Sequence, residues 1–237
     1  MAEDNDHYKD LLEDYYTKDK EEREALGKLA DQADKVPENK ASIDVKPPLL
    51  YGISFIFLFL IGGLSGLTLG SLATNVHLHD TSFVVAHFHY IVFGGMGFAF
   101  FAGIHYWYPK MFGRMYNIKL ANIAWGEIFL GFNLLYFPLF VIGMMGMPRR
   151  YNDYLPQFYE GHLISSIGAF ILIAGIIAML VNLFYYRRRG PIASSNPWRG
   201  STLEWKIASP PPKENFETIP TITGRPYKYR EENEEIT

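Results

Sequence analysis

His79-Asp80-Thr81-Ser82-Phe83-Val84-Val85-Ala86-His87-Phe88-His89-Tyr90 places three histidines and a carboxylate within eleven residues, and apolar sequence runs away from both ends. Ionisable side chains inside a membrane are costly, and by default they mark a functional site. The reading of this stretch therefore settles both what kind of fold the chain has and where its chemistry lies.

Downstream, Phe83 to Tyr108 carries no charged residue apart from the histidines His87, His89 and His105. Tyr106-Trp107-Tyr108 forms an aromatic belt at its end, and Pro109 is expected to close it. Upstream, Leu49 to Ala73 has no charge at all, and a span needs only ~20 apolar residues. Its Gly62-Gly63-Leu64-Ser65-Gly66 run is a small-residue face of the kind that lets helices approach closely in lipid. Two more apolar runs follow. The pattern predicts an all-α membrane protein with four transmembrane helices, at about 49–74, 83–108, 120–145 and 161–186, within a transmembrane region 49–187. The third carries Glu127, Asn133 and Pro138, and Pro138 is expected to kink it.

The flanks differ in kind. Residues 1–48 form a charged soluble extension with fourteen Asp/Glu and eight Lys/Arg. Charges there alternate at helical spacing, which predicts an exposed helix over about 8–33. The acidic start fits neither a secretory signal nor a mitochondrial presequence. Residues 188–237 read as an extended polar tail, ordered only by contact with neighbours. The mean hydropathy of −0.02 merely averages these unlike regions. Cysteine is absent, which removes disulfides, thiolate catalysis and thiolate-bound metals. A net charge of −3 gives no reason to expect nucleic acid as a partner. Lys110, Arg114 and Lys119 in one loop and Arg187-Arg188-Arg189 after the last span outnumber Arg149-Arg150 in another. That bias places both termini on the cytoplasmic or matrix side.

Residues two apart on a helix point about 200° apart, offset by roughly 3 Å along the axis. His87 and His89 therefore cannot chelate one ion together. They can each serve a different centre on opposite sides of one helix, and imidazole is a common axial ligand of haem iron. The alternative is a hydrogen-bonded packing role. His105, near a helix end among aromatics, reads as interfacial, and His77 and His162 as surface residues. His79-Asp80 could help hold a partly hydrated divalent cation, or Asp80 or Thr81 could simply cap a helix. Arg149-Arg150 suit carboxylates, or interfacial anchoring.

His79-Asp80-Thr81 followed by Val84-Val85-Ala86-His87-Phe88-His89-Tyr90 resembles a signature of subunit I of the haem-copper oxidases, specifically of cytochrome c oxidase. Gly146-Met147-Pro148-Arg149-Arg150-Tyr151 with Asp153-Tyr154 resembles a second one. Ser165-Ser166-Ile167-Gly168, Leu203-Glu204-Trp205 and Pro210-Pro211-Pro212 follow in family order. The resemblance covers about 50–215. It implies that the four helices correspond to the last four of a twelve-helix subunit. It implies two haems, of the haem a type, with His87 as ligand of the high-spin haem iron at the catalytic centre and His89 as ligand of the low-spin haem iron. It further implies His79 and Asp80 on Mg²⁺ or Mn²⁺, and Arg149 and Arg150 on haem propionates.

Some positions depart from the family. Ser82 stands where an aromatic is usual, Asn75 where an aspartate is common, and Leu139-Phe140 where a polar residue and a histidine often follow the proline. Glu127 lacks an obvious counterpart.

The copper-binding histidines, the second axial ligand of the low-spin haem and the proton-channel acids are missing from these residues. The expectation is a naturally split subunit I, completed by a separate chain that carries the first eight spans and the copper. Subunits II and III, cytochrome c and membrane lipid are the implied partners. The implied function is oxygen reduction to water by a terminal cytochrome c oxidase of the respiratory chain, with coupled proton translocation in a bacterial or mitochondrial inner membrane. The alternatives are a non-catalytic oxidase-like structural subunit, a quinol-oxidising relative, or a small ion carrier.

Overall fold

Pro47 and Pro48 open the first helix, where a missing N–H costs nothing because the first turn has no intrahelical partner for it. The computed structural model describes residues 43–200 and 202–216. The expected helix over 8–33 and the tail beyond 216 lie outside the described residues. Helix α1 spans Pro47–Gly70 and breaks at Ser71, whose backbone is extended. The short, wholly unburied helix α2, Leu72–Leu78, follows. Thr81 then caps helix α3, Ser82–His89, by accepting a hydrogen bond from the Phe83 N–H at 3.2 Å.

The second span is continuous from Ser82 to Phe112. It runs from α3 through a π-helical segment, Tyr90–Gly97, into helix α4, Phe98–Phe112. Pro109 was expected to end it. The helix instead absorbs Pro109 and runs on to Phe112. Gly113 terminates it, in the left-handed conformation at φ 65°, with its N–H on the Pro109 carbonyl. Helix α5, Ile118–Met144, likewise continues through Pro138. A 3₁₀ turn, Pro156–Phe158, leads into helix α6, Tyr159–Arg189. Among the described residues the secondary structure is all helical, and four helices are long and apolar enough to cross a membrane.

Lipid gives apolar helices little hydrophobic reason to associate, so close packing and hydrogen bonds must hold them. Span 1 lies against span 2, span 2 against α5, and α5 most extensively against α6. Glycine permits the last contact. A Cβ on Gly131 would lie 2.4 Å from the Leu172 nitrogen, and one on Gly168 2.4 Å from the Leu135 nitrogen. Gly94 and Gly95 make room on span 2 for the side chains of Leu58 and Phe59 of α1, which would lie 3.0 and 2.9 Å from a Cβ at those positions. Polar bonds pin the ends. Asn182, fully buried on α6, accepts from the Asn117 N–H at 3.1 Å and donates to the Asn117 carbonyl at 2.9 Å. Trp125 of α5 donates to Ser54 of α1 at 2.9 Å.

The tail differs from its expectation, because its described part is ordered by this chain itself. Lys110 is buried at the end of α4, and its ammonium donates to the carbonyls of Ser195 at 2.9 Å, Ile207 at 2.6 Å and Ala208 at 3.2 Å. It also lies 5.1 Å from the Trp205 ring centroid. A buried ammonium needs such partners. Trp198 and Trp205 in turn donate to the Tyr106 carbonyl and hydroxyl at 2.8 and 2.6 Å.

Gly168→Leu drives a side chain into the α5 backbone and is expected to cost about 1–3 kcal/mol. Gly63→Leu, at a position with open space around it, is the near-neutral control. Thermal unfolding of the purified membrane complex measures both. Equal midpoints would show that Gly168 does not sit at a helix crossing.

Candidate functional site at the start of the second span

Two loops meet at one end of the bundle. Residues 79–82 precede span 2, and residues 146–150 follow α5. Thr81 and Pro148 pair as a single antiparallel bridge. The Ser82 N–H donates to the Met147 carbonyl at 2.8 Å, and the Arg149 N–H to the Asp80 carbonyl at 2.9 Å. The Arg149 guanidinium closes the same contact. Its Nε lies 2.8 Å from Asp80 Oδ1, and its Nη2 also donates to that oxygen. Asp80 and Arg150 both adopt the left-handed region, at φ 61° and 69°. The Arg149 hydrogen bond and charge hold the exposed Asp80 carboxyl below its ordinary value of 3.8. The two motifs singled out in the sequence thus form one site.

Asp80 turns its other oxygen, Oδ2, towards His79 Nδ1 at 3.4 Å, and both side chains are more than half exposed. These are two donors of the right chemistry for a hydrated divalent ion. Among the described residues no group of three or more His, Cys, Asp or Glu could hold a metal alone. Thr81 takes the capping role that was the alternative for this segment.

Below the loops, α3 presents His87 and His89 to different neighbours. His87 faces α1. Its Nδ1 lies 3.0 Å from the Gly62 carbonyl and 3.0 Å from the Ser65 hydroxyl. The Ser65 hydroxyl itself donates to that carbonyl at 2.7 Å. Gly66 leaves room for the ring, since a Cβ there would come within 3.0 Å of His87 Cε1. His89 faces α5, where its ring stacks on Tyr136 at 4.1 Å and 18°. Its Nδ1 lies 2.8 Å from the Val85 carbonyl. A carbonyl can only accept, so each Nδ1 carries the proton and each Nε2 keeps a free lone pair. That is the arrangement of a metal-ligating histidine, whose second nitrogen is held by a backbone or side-chain acceptor. The site fits the expected pair of axial ligands. The π-helical turn follows at once, and such turns recur at functional sites.

The other histidines partly depart from expectation. His105 is not interfacial but fully buried, stacked on Tyr51 at 4.9 Å and edge-on to Tyr116 at 5.0 Å. Although it directly precedes the aromatic belt, its ring turns towards Tyr51 of α1 rather than outward. His77 is exposed as expected. His162 is half-buried against Tyr154, 4.1 Å between rings. Glu127 is half-buried, its Cβ close to Gly175 of α6. Phe140, where the family often has a histidine, packs on Phe83 and Tyr90 at 4.8 and 5.3 Å and makes that part of the site apolar. Sequence reasoning did not assign roles to Gly62, Ser65 or Tyr136 in the site. The small-residue run signalled the first two as a close approach. Nothing in the sequence signalled Tyr136.

Comparison with known proteins gives a consistent result. The model of the family described as Cytochrome C and Quinol oxidase polypeptide I matches residues 38–171. Cytochrome c oxidase subunit 1 of Thermostichus vulcanus is 44% identical over 187 residues, covering 79% of this chain and 34% of that protein. The Bacillus subtilis (strain 168) subunit 1 is 45% identical over 179 residues, covering 74% and 29%. The chain therefore spans about a third of the length of these relatives. A heme-copper terminal oxidase dimer solved by cryo-electron microscopy shares the fold, with a TM-score of 0.56 at 24% identity over 72% of this chain.

Asp80→Asn removes the charge that Arg149 grips, and the loop pair is expected to open more often. Hydrogen exchange at Ser82 and Arg149 should quicken relative to the wild type at neutral pH. The sign with pH follows from the lowered carboxyl. The link is present above the ordinary aspartate value and is lost as pH falls through the lowered one. Wild-type exchange, corrected for its intrinsic pH dependence, should stay slow until pH drops below about 3.8.

Proposed function

The chain belongs to the family of cytochrome c and quinol oxidase polypeptide I, and on that footing we propose that it forms the haem-binding C-terminal part of the catalytic subunit of a terminal oxidase. The complete enzyme reduces oxygen to water with electrons from cytochrome c and translocates protons across an energy-transducing membrane. One observation carries this reading. His87 and His89 stand on one helix, face different neighbours, and each keeps Nε2 free while Nδ1 is hydrogen-bonded.

Residue roles follow from that geometry. His87 would ligate the high-spin haem and His89 the low-spin haem. Bound haem supplies an iron that changes oxidation state, while the protein sets its ligands and surroundings. The Gly62 carbonyl and Ser65 hydroxyl orient the His87 ring and make it a stronger donor, and the Val85 carbonyl does so for His89. Arg149 and Arg150 are the cations for the haem propionates. The bond that the Arg149 guanidinium makes to the Asp80 carboxylate supports this reading. His79 and Asp80 contribute two donors to Mg²⁺ or Mn²⁺, with water and other subunits completing the shell.

The copper ligands and the remaining haem-site walls come from protein outside these 237 residues. Subunits II and III and cytochrome c are the remaining partners. The basic loops put both termini on the cytoplasmic or matrix side. The expectation of a separate chain for the first eight spans is checked by intact-mass measurement of the purified oxidase. A single polypeptide carrying all twelve spans excludes it.

Reduced-minus-oxidised spectra of the purified oxidase test the ligand assignment. His87→Ala is expected to abolish the high-spin haem signal and spare the low-spin one, and His89→Ala the reverse. Wild-type spectra from both variants would overturn the reading.

A further inference from the structure

We infer that Tyr136 is the positioning residue that fixes the plane of the His89 imidazole. The inference rests on the proposal that His89 ligates the low-spin haem, and it adds a residue that the ligand assignment does not contain.

The two histidines are held in different ways. His87 has two acceptors at Nδ1, the Gly62 carbonyl and the Ser65 hydroxyl. His89 has one, the Val85 carbonyl one turn back on its own helix, at 2.8 Å. A single hydrogen bond fixes one atom of a planar ring and leaves the ring free to tilt about it. A flat face against the imidazole removes that freedom. Tyr136 provides one, nearly parallel at 18° and 4.1 Å, and the neighbouring Phe88 ring lies 4.2 Å from the same imidazole.

Tyr136 is itself fixed in place. Its ring meets Phe132, one turn earlier on α5, at 5.0 Å. Phe132 packs edge-on against Tyr90 at 4.9 Å. The Tyr90 hydroxyl donates to Asn133 Oδ1 at 2.9 Å, tying α5 to the residue that follows His89. The wall and the ring it restrains therefore belong to one bonded unit across α3 and α5. An axial imidazole acts on its iron partly through the direction in which its plane lies, because its π orbitals overlap the metal orbitals along that direction. Outer contacts that orient a ligand tune its metal in this way.

The test uses the intact, haem-loaded oxidase. The readout is the electron paramagnetic resonance of the oxidised low-spin haem, whose g values report the plane of the axial ring. Tyr136→Phe keeps the face and is expected to leave the g values unchanged. Tyr136→Leu removes it and is expected to broaden and displace them, with the high-spin haem spectrum intact. Tyr136→Met serves if the Leu variant does not assemble. Loss of the low-spin haem alone from either variant also supports the inference. Wild-type g values in a loaded Leu or Met variant overturn it, and so does loss of both haems from both variants, which would mark Tyr136 as bulk packing. The underlying ligand assignment fails separately, through a His89→Ala oxidase that keeps its low-spin signal.

Discussion

Helices in lipid gain little by hiding apolar surface from one another, because the lipid tails are apolar too. Everything in this structure depends on the contacts that replace that missing force. Gly131 and Gly168 bring α5 and α6 to backbone distance, and Gly94 and Gly95 let the Leu58 and Phe59 side chains of span 1 seat against span 2. Gly62 and Gly66 turn closeness into chemistry. They let the α1 backbone come near enough for a carbonyl to receive the His87 Nδ1 proton. Without that approach the imidazole would keep an unsatisfied donor in an environment with no water to take it.

The loop clasp has a related logic at the membrane edge. The bridge between Thr81 and Pro148, made by two backbone bonds, and the Asp80–Arg149 pair fix where span 2 begins relative to where α5 ends. His87 lies five residues into α3, so this fixing sets the depth of both imidazoles. The pair itself is solvent-exposed, and its value is positional. Asp80 and the residue after Arg149, Arg150, both take left-handed backbone where the two loops meet.

Much of this was legible in sequence, for identifiable reasons. The four spans follow from uncharged length, and the opposed histidines follow from helical arithmetic. Both are local properties. The Asp80–Arg149 contact joins residues sixty-nine positions apart, and each taken alone had an adequate simpler explanation. Pro109 misled because proline late in a helix costs one hydrogen bond, which packing here outweighs, while Gly113 supplies the real stop. The π-helical turn has no compositional signature. Tyr136 looked like any aromatic in an apolar helix, since its role depends on what faces it from another span. The tail read as unsupported because its support, Lys110, sits at the end of a distant helix as an ordinary basic boundary residue.

That lysine gives the chain an order in time. Its acceptors lie 85, 97 and 98 residues further along. At ~5–20 residues per second they leave the ribosome on the order of ten seconds later. During that interval two whole spans are made, and the ammonium can be satisfied only by water at the membrane surface. The stretch 195–208 then takes the place of that water and covers the end of span 2. That segment is thus a latch that closes only after the four spans have been made.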